Sequence, residues 1–302
     1  MAETGVLICG HGSRDPEAIA EFELVAAALQ PRLPAFDFAT GYLEFARPTI
    51  QDGLALLAAG GARQILAIPG MLFAASHVKN DLPWEVNSFN AANPGVEVRL
   101  GRDLGIETKL LQAAADRIAA AADDRISRAE SLLVVVGRGT NDPDANSNIA
   151  KVARMLWEGT GFGWAEAAFS GVAHPRVEAA LERGALLGFR RIVVFPYFLF
   201  TGILVKRIYA QTDAVAARFP EIEFVKAPYL RDHKGVIDAF LDRIGEFAGE
   251  GEPKMNCQLC KYRTRIVGYE DAVATPQQGH HHHVRGGDHH DDHPHRHPHT
   301  HD

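Results

Sequence analysis

The feature that most constrains the fold is an internal repeat with a spacing of 127 residues. Residues 10–18 read Gly-His-Gly-Ser-Arg-Asp-Pro-Glu-Ala, and residues 137–145 read Gly-Arg-Gly-Thr-Asn-Asp-Pro-Asp-Ala. The same spacing joins further identical pairs: Pro48 and Pro175, Arg63 and Arg190, Pro69 and Pro196, Phe73 and Phe200, and Lys79 and Lys206. One spacing kept at this many positions indicates a duplicated domain.

Within each half, short apolar runs alternate with amphipathic helical stretches. Strands are expected in the first half near residues 6–9, 64–69 and 96–100, and in the second near 132–136, 191–196 and 223–228. A further strand in each half is expected to end near residues 42–45 or 168–172. Helices are expected between the strands, including two that start at Pro48 and Pro175, because proline suits the first position of a helix. This alternation predicts a mainly parallel sheet covered by helices on both faces.

The chain is therefore predicted to be an α/β protein of two tandem domains. We expect the first domain at residues 1–125 and the second, a degenerate repeat of it, at 126–250. The composition changes at residue 251, after which a cysteine pair and a His-rich tract follow. Residues 251–302 are expected to be a disordered tail, because their interleaved His, Asp and Pro cannot bury a core.

Charge and hydropathy exclude several classes of partner. The net charge of −7 argues against nucleic acid, whose binders concentrate Lys and Arg. No apolar run approaches the roughly 20 residues of a membrane-spanning helix, and the N-terminus has no basic segment before a long apolar stretch. Three cysteines are too few for a disulfide framework. A cytoplasmic protein without a membrane or nucleic-acid partner is expected.

Three candidate metal ligands follow three successive strands of the first half. His11 follows the first strand, Glu44 ends the second, and His77 lies in the loop after the third. Because ligands bind beyond the carboxyl ends of parallel strands, these side chains are expected at one edge of the sheet. Two imidazoles and a carboxylate can hold a divalent ion with open positions, and neutral His can accept protons. Taken singly, each of these residues is more often an ordinary loop or surface residue than a metal ligand, and their joint placement at three strand ends favours the metal site.

The second half offers an internal comparison. At the spacing of 127, His11, Glu44 and His77 correspond to Arg138, Gly171 and Leu204. The first half is therefore expected to carry the chemistry and the second to shape the site. Arg138 is a candidate for binding a substrate carboxylate, which guanidinium groups contact with two hydrogen bonds. His174 and His233 are expected to have local roles only.

A weakly held metal beside basic imidazoles suits metal insertion into a macrocycle, because two pyrrole N–H protons must leave as the metal enters. The segments that carry this interpretation are residues 10–14 (Gly-His-Gly-Ser-Arg), 43–48 (Leu-Glu-Phe-Ala-Arg-Pro) and 76–83 (Ser-His-Val-Lys-Asn-Asp-Leu-Pro). They resemble the sirohydrochlorin chelatases of the class II chelatase superfamily, over about residues 5–250 as two repeats. The resemblance implies metal insertion into sirohydrochlorin, with His11 and His77 at the metal and in proton removal.

The tail narrows this resemblance. Residues 255–260 (Met-Asn-Cys-Gln-Leu-Cys) and the His-rich terminus look like the long form of sirohydrochlorin cobaltochelatase, from the early-cobalt-insertion route to cobalamin. That form implies Co²⁺ as the inserted metal and an iron–sulfur centre on Cys257 and Cys260. A cluster needs about four protein ligands, so we expect a homodimer that shares one cluster; Cys9 is expected to be buried. A redox-active or adventitious metal-binding pair is the alternative.

The tail also holds eleven of the 15 histidines, between His280 and His301. Their imidazoles suit storage of cobalt, nickel or zinc, and an expression tag is the alternative for His280–His283. Weaker candidates for contacts with substrate carboxylates are Arg47, Lys79 and Asn80 at the edge of the cleft.

Other functions stay open at this point. Iron or nickel insertion uses the same ligands, since ligand type alone does not separate first-row metals. A non-catalytic metallochaperone or metal store would account for the tail. A two-lobed periplasmic binding protein would need an export signal, which the N-terminus does not show.

Overall fold

The structure is a computed structural model that describes residues 3–248, 262 and 270–275. Within these residues, two parallel sheets are flanked by helices, which confirms the predicted α/β class. The first sheet has the strand order β2-β1-β3-β4 and comprises β1 (Thr4–Gly10), β2 (Asp37–Tyr42), β3 (Gln64–Pro69) and β4 (Glu97–Leu100). The second has the order β6-β5-β7-β8 and comprises β5 (Ser131–Gly137), β6 (Trp164–Phe169), β7 (Arg191–Pro196) and β8 (Glu223–Lys226).

The helices repeat in the same order in both halves. Those of the first half are α1 (Pro16–Leu29), α2 (Ile50–Ala59), α3 (Leu82–Ala92) and α4 (Thr108–Ala121), and those of the second are α5 (Pro143–Thr160), α6 (Val177–Ala185), α7 (Ile203–Ala216) and α8 (Lys234–Ala248). Helices α1 and α5 begin with proline directly after an aspartate whose side chain caps them. Helices α2 and α6 begin two residues after Pro48 and Pro175, so the prediction that these prolines start the helices was wrong. At α2 the capping residue is Thr49, which satisfies the free N–H groups of the first turn.

The register of the first sheet aligns the ends of β2, β1 and β3. Gly10 of β1 pairs with Tyr42 of β2, and Cys9 pairs with Pro69 of β3. The residues that follow these three strands therefore lie along one edge, as the sequence predicts. Separate hydrophobic clusters fill the outer face of each sheet, and a third cluster joins the inner faces of both halves.

The last helix of each half packs against the other half. Helix α4 contacts α5 and α8, whereas α8 contacts β3 and α1 of the first half. A Cβ added at Gly235 of α8 would lie 2.4 Å from the backbone oxygen of Lys109 in α4, so only glycine allows this approach. Arg243 of α8 is buried and donates from Nε to the carbonyl oxygen of Asp103 at 2.9 Å. Helices α4 and α8 thus each pack against the opposite half and hold the two halves together.

Two ion clusters related by the repeat also join the halves. Lys79 Nζ lies 2.9 Å from carboxylate oxygens of Asp142 and Asp144. At the equivalent positions, Lys206 Nζ lies 2.8 Å from Asp15 and Glu17. The Lys79 side chain is 0 % exposed and that of Lys206 is 54 % exposed. Each half therefore contributes a lysine that pairs with two carboxylates of the other half. The Lys79 side chain is buried in its cluster, whereas the Lys206 side chain is exposed.

Candidate active site

Two histidines of the first half face each other at the edge of its sheet. His11 follows β1, and His77 begins a π-helical turn (His77–Asp81) that leads into α3. Their Nε2 atoms are 3.1 Å apart, and the ring planes are inclined at 86°. Since both side chains are partly buried, the pair is held in place and still reached from solvent.

The other ring nitrogen of each histidine is bound to an acceptor. His11 Nδ1 lies 2.9 Å from the carbonyl oxygen of Gly12, and His77 Nδ1 lies 2.7 Å from Asp81 Oδ2. Because a carbonyl and a carboxylate only accept hydrogen bonds, these partners assign the proton of each neutral ring to Nδ1. Both Nε2 atoms are then unprotonated and lie next to each other. This arrangement fits a shared cation or proton between them.

Asp81 is the residue of this site that the sequence analysis missed. Its side chain is buried, and Asn80 Nδ2 donates to its second oxygen at 2.8 Å. A carboxylate behind a ligating histidine fixes the ring orientation and raises the basicity of the nitrogen that faces the metal. The spacing of four residues between His77 and Asp81, one helical turn, was the available signal.

Glu44, the third predicted ligand, is placed differently. Its side chain is 4 % exposed and does not line the cavity described below. Its backbone N–H donates to the carbonyl oxygen of His11 at 3.0 Å, so the two loops are bonded together. In the described part of the chain, no three His, Cys, Asp or Glu side chains are gathered as a metal site. The structure therefore brings together two of the three predicted ligands.

The His11–His77 pair opens into a cavity of about 530 Å³ between the halves. This volume falls within the usual range of small-molecule sites, roughly 300–1,000 Å³. The first half contributes aromatic and aliphatic walls, including Phe22, Tyr42, Phe45, Met71, Leu72 and Phe73. The second half contributes Arg138, Gly139, Thr140 and the segment 197–205. Apolar and aromatic walls beside a histidine pair suit a large apolar ligand such as a macrocycle.

The sequence of this chain matches the CbiX family model over residues 5–121 and 132–247. The chain belongs to the CbiX family. A sirohydrochlorin cobaltochelatase of Priestia megaterium is 36% identical over 267 residues, which cover 88% of this CbiX protein and 87% of the relative. A sirohydrochlorin ferrochelatase of Bacillus subtilis (strain 168) is 28% identical over 250 residues, covering 82% and 93%.

Two solved structures of the chelatase SirB are also similar to this chain. SirB from Bacillus subtilis with Fe³⁺ matches this CbiX protein with a TM-score of 0.71 and 26% identity, over 82% of this chain and 96% of SirB. The sirohydrochlorin chelatase SirB from Bacillus subtilis subspecies spizizenii, in complex with cobalt, matches with a TM-score of 0.70 and the same identity and coverage. The resemblance drawn from residues 10–14, 43–48 and 76–83 is confirmed, and it covers residues 5–121 and 132–247.

Of the four residues predicted to contact the substrate of this CbiX protein, one lines the cavity and three do not. Arg138 lines the cavity. Desolvation by the surrounding protein lowers the pKa of its guanidinium and the Glu44 carboxylate raises it, but arginine stays protonated in either case. Arg47 is exposed outside the cavity lining, 3.8 Å from Asp52. Lys79 and Asn80 are not at the cleft edge, because one is buried in the ion cluster and the other bonds to Asp81.

The remaining candidates lie apart from the cavity or outside the described residues. His233 Nδ1 accepts from Gly235 N–H at 3.0 Å, a local role, and His174 is not part of the cavity lining. Cys9 is buried, and burial raises the pKa of its thiol. Cys257, Cys260 and the His-rich tract lie outside the described residues. None of the described helices is long and apolar enough to cross a membrane.

Proposed function

We propose that this CbiX protein inserts Co²⁺ into sirohydrochlorin, without ATP, in the anaerobic early-cobalt-insertion route to cobalamin in the cytoplasm. The observation that carries the proposal is the pair of Nε2 atoms 3.1 Å apart at the wall of an apolar cavity of about 530 Å³. The relative with 36% identity, a sirohydrochlorin cobaltochelatase, supports both the tetrapyrrole and the metal.

In this mechanism, the two lone pairs on His11 and His77 hold the incoming Co²⁺ beside the macrocycle. Two neutral donors and few other ligands bind the ion weakly enough for the four pyrrole nitrogens to compete for it. As the ion transfers, the two imidazoles are freed and accept the two protons that leave the ring nitrogens. Asp81 stabilises the protonated His77 through its 2.7 Å contact with Nδ1.

In this proposal the two halves have different roles. Residues 1–125 form the domain that binds and transfers the metal, and residues 126–250 form the opposite wall, with Arg138 contacting a substrate carboxylate. Glu44 is proposed as a third metal ligand, because its backbone is bonded to the His11 loop. The Glu44 side chain is buried and does not line the cavity, so it must turn towards the cavity to reach the ion.

The decisive experiment is anaerobic Co²⁺ insertion into sirohydrochlorin, followed by absorbance, with His11→Ala and His77→Ala. Both variants are expected to lose most activity while their circular dichroism spectra stay unchanged. His233→Ala, a histidine away from the cavity, is the matched control and should retain full activity. A near-normal rate in either site variant would move the catalytic centre elsewhere.

A second candidate is insertion of Fe²⁺ or Ni²⁺ by the same residues. The 28% identical sirohydrochlorin ferrochelatases of Priestia megaterium and Bacillus subtilis favour iron as the specific alternative. Initial rates with Co²⁺, Ni²⁺ and Fe²⁺ under anaerobic conditions distinguish these metals. A metal store, by contrast, would bind metal without changing the absorbance of sirohydrochlorin.

The tail adds two predictions that rest on the sequence alone. We propose an iron–sulfur cluster on Cys257 and Cys260, completed by the same pair from a second copy in a homodimer. Iron and sulfide analysis of anaerobically purified protein, together with its mass in solution, tests both points. Freshly made protein without iron or sulfide would rule out the cluster.

A further inference from the structure

The charge of the cavity differs from the charge of the chain. The chain carries a net charge of −7, yet no described residue that lines the cavity is Asp, Glu or Lys. Apart from the two histidines near the metal position, the charged side chains of this lining are Arg14 and Arg138. A positive cavity in an acidic protein attracts anions locally, where the field of the whole molecule would repel them.

Neither of these guanidinium groups is held in an ion pair within the described residues. Within the described residues, Arg14 makes no hydrogen bond or ion pair through its side chain; instead it lies over the Phe45 ring, 5.0 Å from the ring centroid. Arg138 likewise has no hydrogen bond or ion pair there and feels Glu44 only through space. Arg191 and Arg243, in contrast, form hydrogen-bonded ion pairs. An incoming anion would therefore break no internal ion pair.

Phe45 links Arg14 to the metal position. Its ring stacks on Arg14 from one direction and on His11 from another, with 6.2 Å between the ring centroids of His11 and Phe45. The backbone of Phe45 has a φ of 62°, a left-handed conformation that is costly for a residue other than glycine. Phe45 thus contacts both Arg14 and His11, and these contacts place Arg14 on the same wall of the cavity as His11.

The two arginines come from opposite walls and different repeat positions. Arg138 occupies the position of His11 in the second half, and Asn141 occupies the position of Arg14. Simple inheritance of one basic residue through the duplication does not produce this pattern. Each half instead supplies its own cation to the shared cavity.

We propose that Arg14 and Arg138 bind two carboxylates of the tetrapyrrole from opposite sides and so hold the macrocycle in place over His11 and His77. Arginine suits this task because its planar fork contacts a carboxylate through two hydrogen bonds. The inference rests on the proposed function for the identity of the ligand, and it adds Arg14 and a two-point grip that spans the halves.

The test measures binding of metal-free sirohydrochlorin in the absence of added metal, by fluorescence. Arg14→Gln and Arg138→Gln are each expected to raise Kd about tenfold, the effect of losing one charge-assisted hydrogen bond. Arg138→Lys should recover only part of the loss, because it restores charge but not the fork. The matched control is Arg154→Gln, since Arg154 also lies 5.0 Å from an aromatic ring, that of Trp157, but outside the cavity lining.

A second arm replaces sirohydrochlorin with its methyl esters, which carry no charge. The effect of each arginine substitution should disappear with the esters, whereas a general disturbance of the cavity would weaken both ligands equally. Unchanged Kd values for sirohydrochlorin, or equal losses with the esters, would overturn the inference. Wild-type protein that binds sirohydrochlorin through these arginines but inserts no metal would refute the proposed function alone.

Discussion

Replacing Lys79 with methionine tests how the halves are held together. Methionine keeps most of the length of the side chain and removes the ammonium group, which lies 2.9 Å from both Asp142 and Asp144. The side chains of these aspartates are 0 % and 9 % exposed. The variant therefore leaves two neighbouring carboxylates buried without their cation, between the halves.

The magnitude follows from burial and charge. Desolvation acts to lower the pKa of Lys79, but the two carboxylates outweigh it and the pKa is raised, so the ammonium is charged at neutral pH. Removing one partner of a buried ion pair costs about 3–5 kcal/mol, because the remaining charge is uncompensated. In a protein of this size each kcal/mol lowers Tm by roughly 2–4 °C, so a fall of about 6–20 °C is expected.

Lys206→Met is the internal control, since it removes the equivalent contact from a side chain that is 54 % exposed. Exposed ion pairs contribute little, and we expect no clear change in Tm. The assay is thermal unfolding by circular dichroism, with both variants at one pH and ionic strength. Adding Asp142→Asn and Asp144→Asn to Lys79→Met should restore much of the lost stability, which also covers the case of a single variant that fails to fold. Equal Tm values for the two lysine variants would refute this reasoning.

Three further predictions concern the site and the scaffold. If His11 and His77 bind the metal as proposed, Asp81→Asn should weaken Co²⁺ binding about 10–100-fold, measured by titration calorimetry, and unchanged affinity would contradict a role of Asp81 in orienting His77. Gly12→Ala should disrupt the site, because the new Cβ would lie 1.8 Å from the backbone oxygen of Glu44; Gly159→Ala, with nothing within 4 Å, should keep full activity. Burial raises the pKa of Tyr209 to about 12, above the value near 10 of an unfolded tyrosine. Its contribution to stability is therefore present below pH 10 and lost towards pH 12, and Tyr209→Phe should flatten alkaline unfolding in that window.

The sequence predicted the class of fold because two regular patterns agreed. Strand-length apolar runs alternated with helical periodicity, and the repeat required both halves to adopt the same order. The exchange of α4 and α8 could not be predicted, since an amphipathic helix shows that one face is buried but not which surface covers it. Gly235 in the first turn of α8 was a sign of close helix packing, because a Cβ there would meet Lys109.

The candidate site was predictable only as far as topology determines it. His11 directly follows β1, whereas His77 lies eight residues after the end of β3 at Pro69. The sheet register therefore brings both segments to one edge, and the loop after β3 completes the pairing of the two side chains. Glu44 lies in a turn whose direction depends on the left-handed backbone at Phe45, and residue types there did not reveal it. In the turn after His77, Asp81 shares the face of His77, whereas Lys79 points to the second half.

The two halves differ at the positions of His11 and His77, and the structure brings the differing residues into one cavity. From the sequence, the second half has lost its ligands, since Arg138 and Leu204 stand where His11 and His77 stand in the first half. In the structure both of these residues line the same cavity as the histidines. Under the proposed function, a second histidine pair facing the first would compete for the metal ion that has to pass to the macrocycle. On the same proposal, Arg138 and Leu204 avoid that competition and give the opposite wall one cation and one apolar side chain, which suit an anionic, planar ligand.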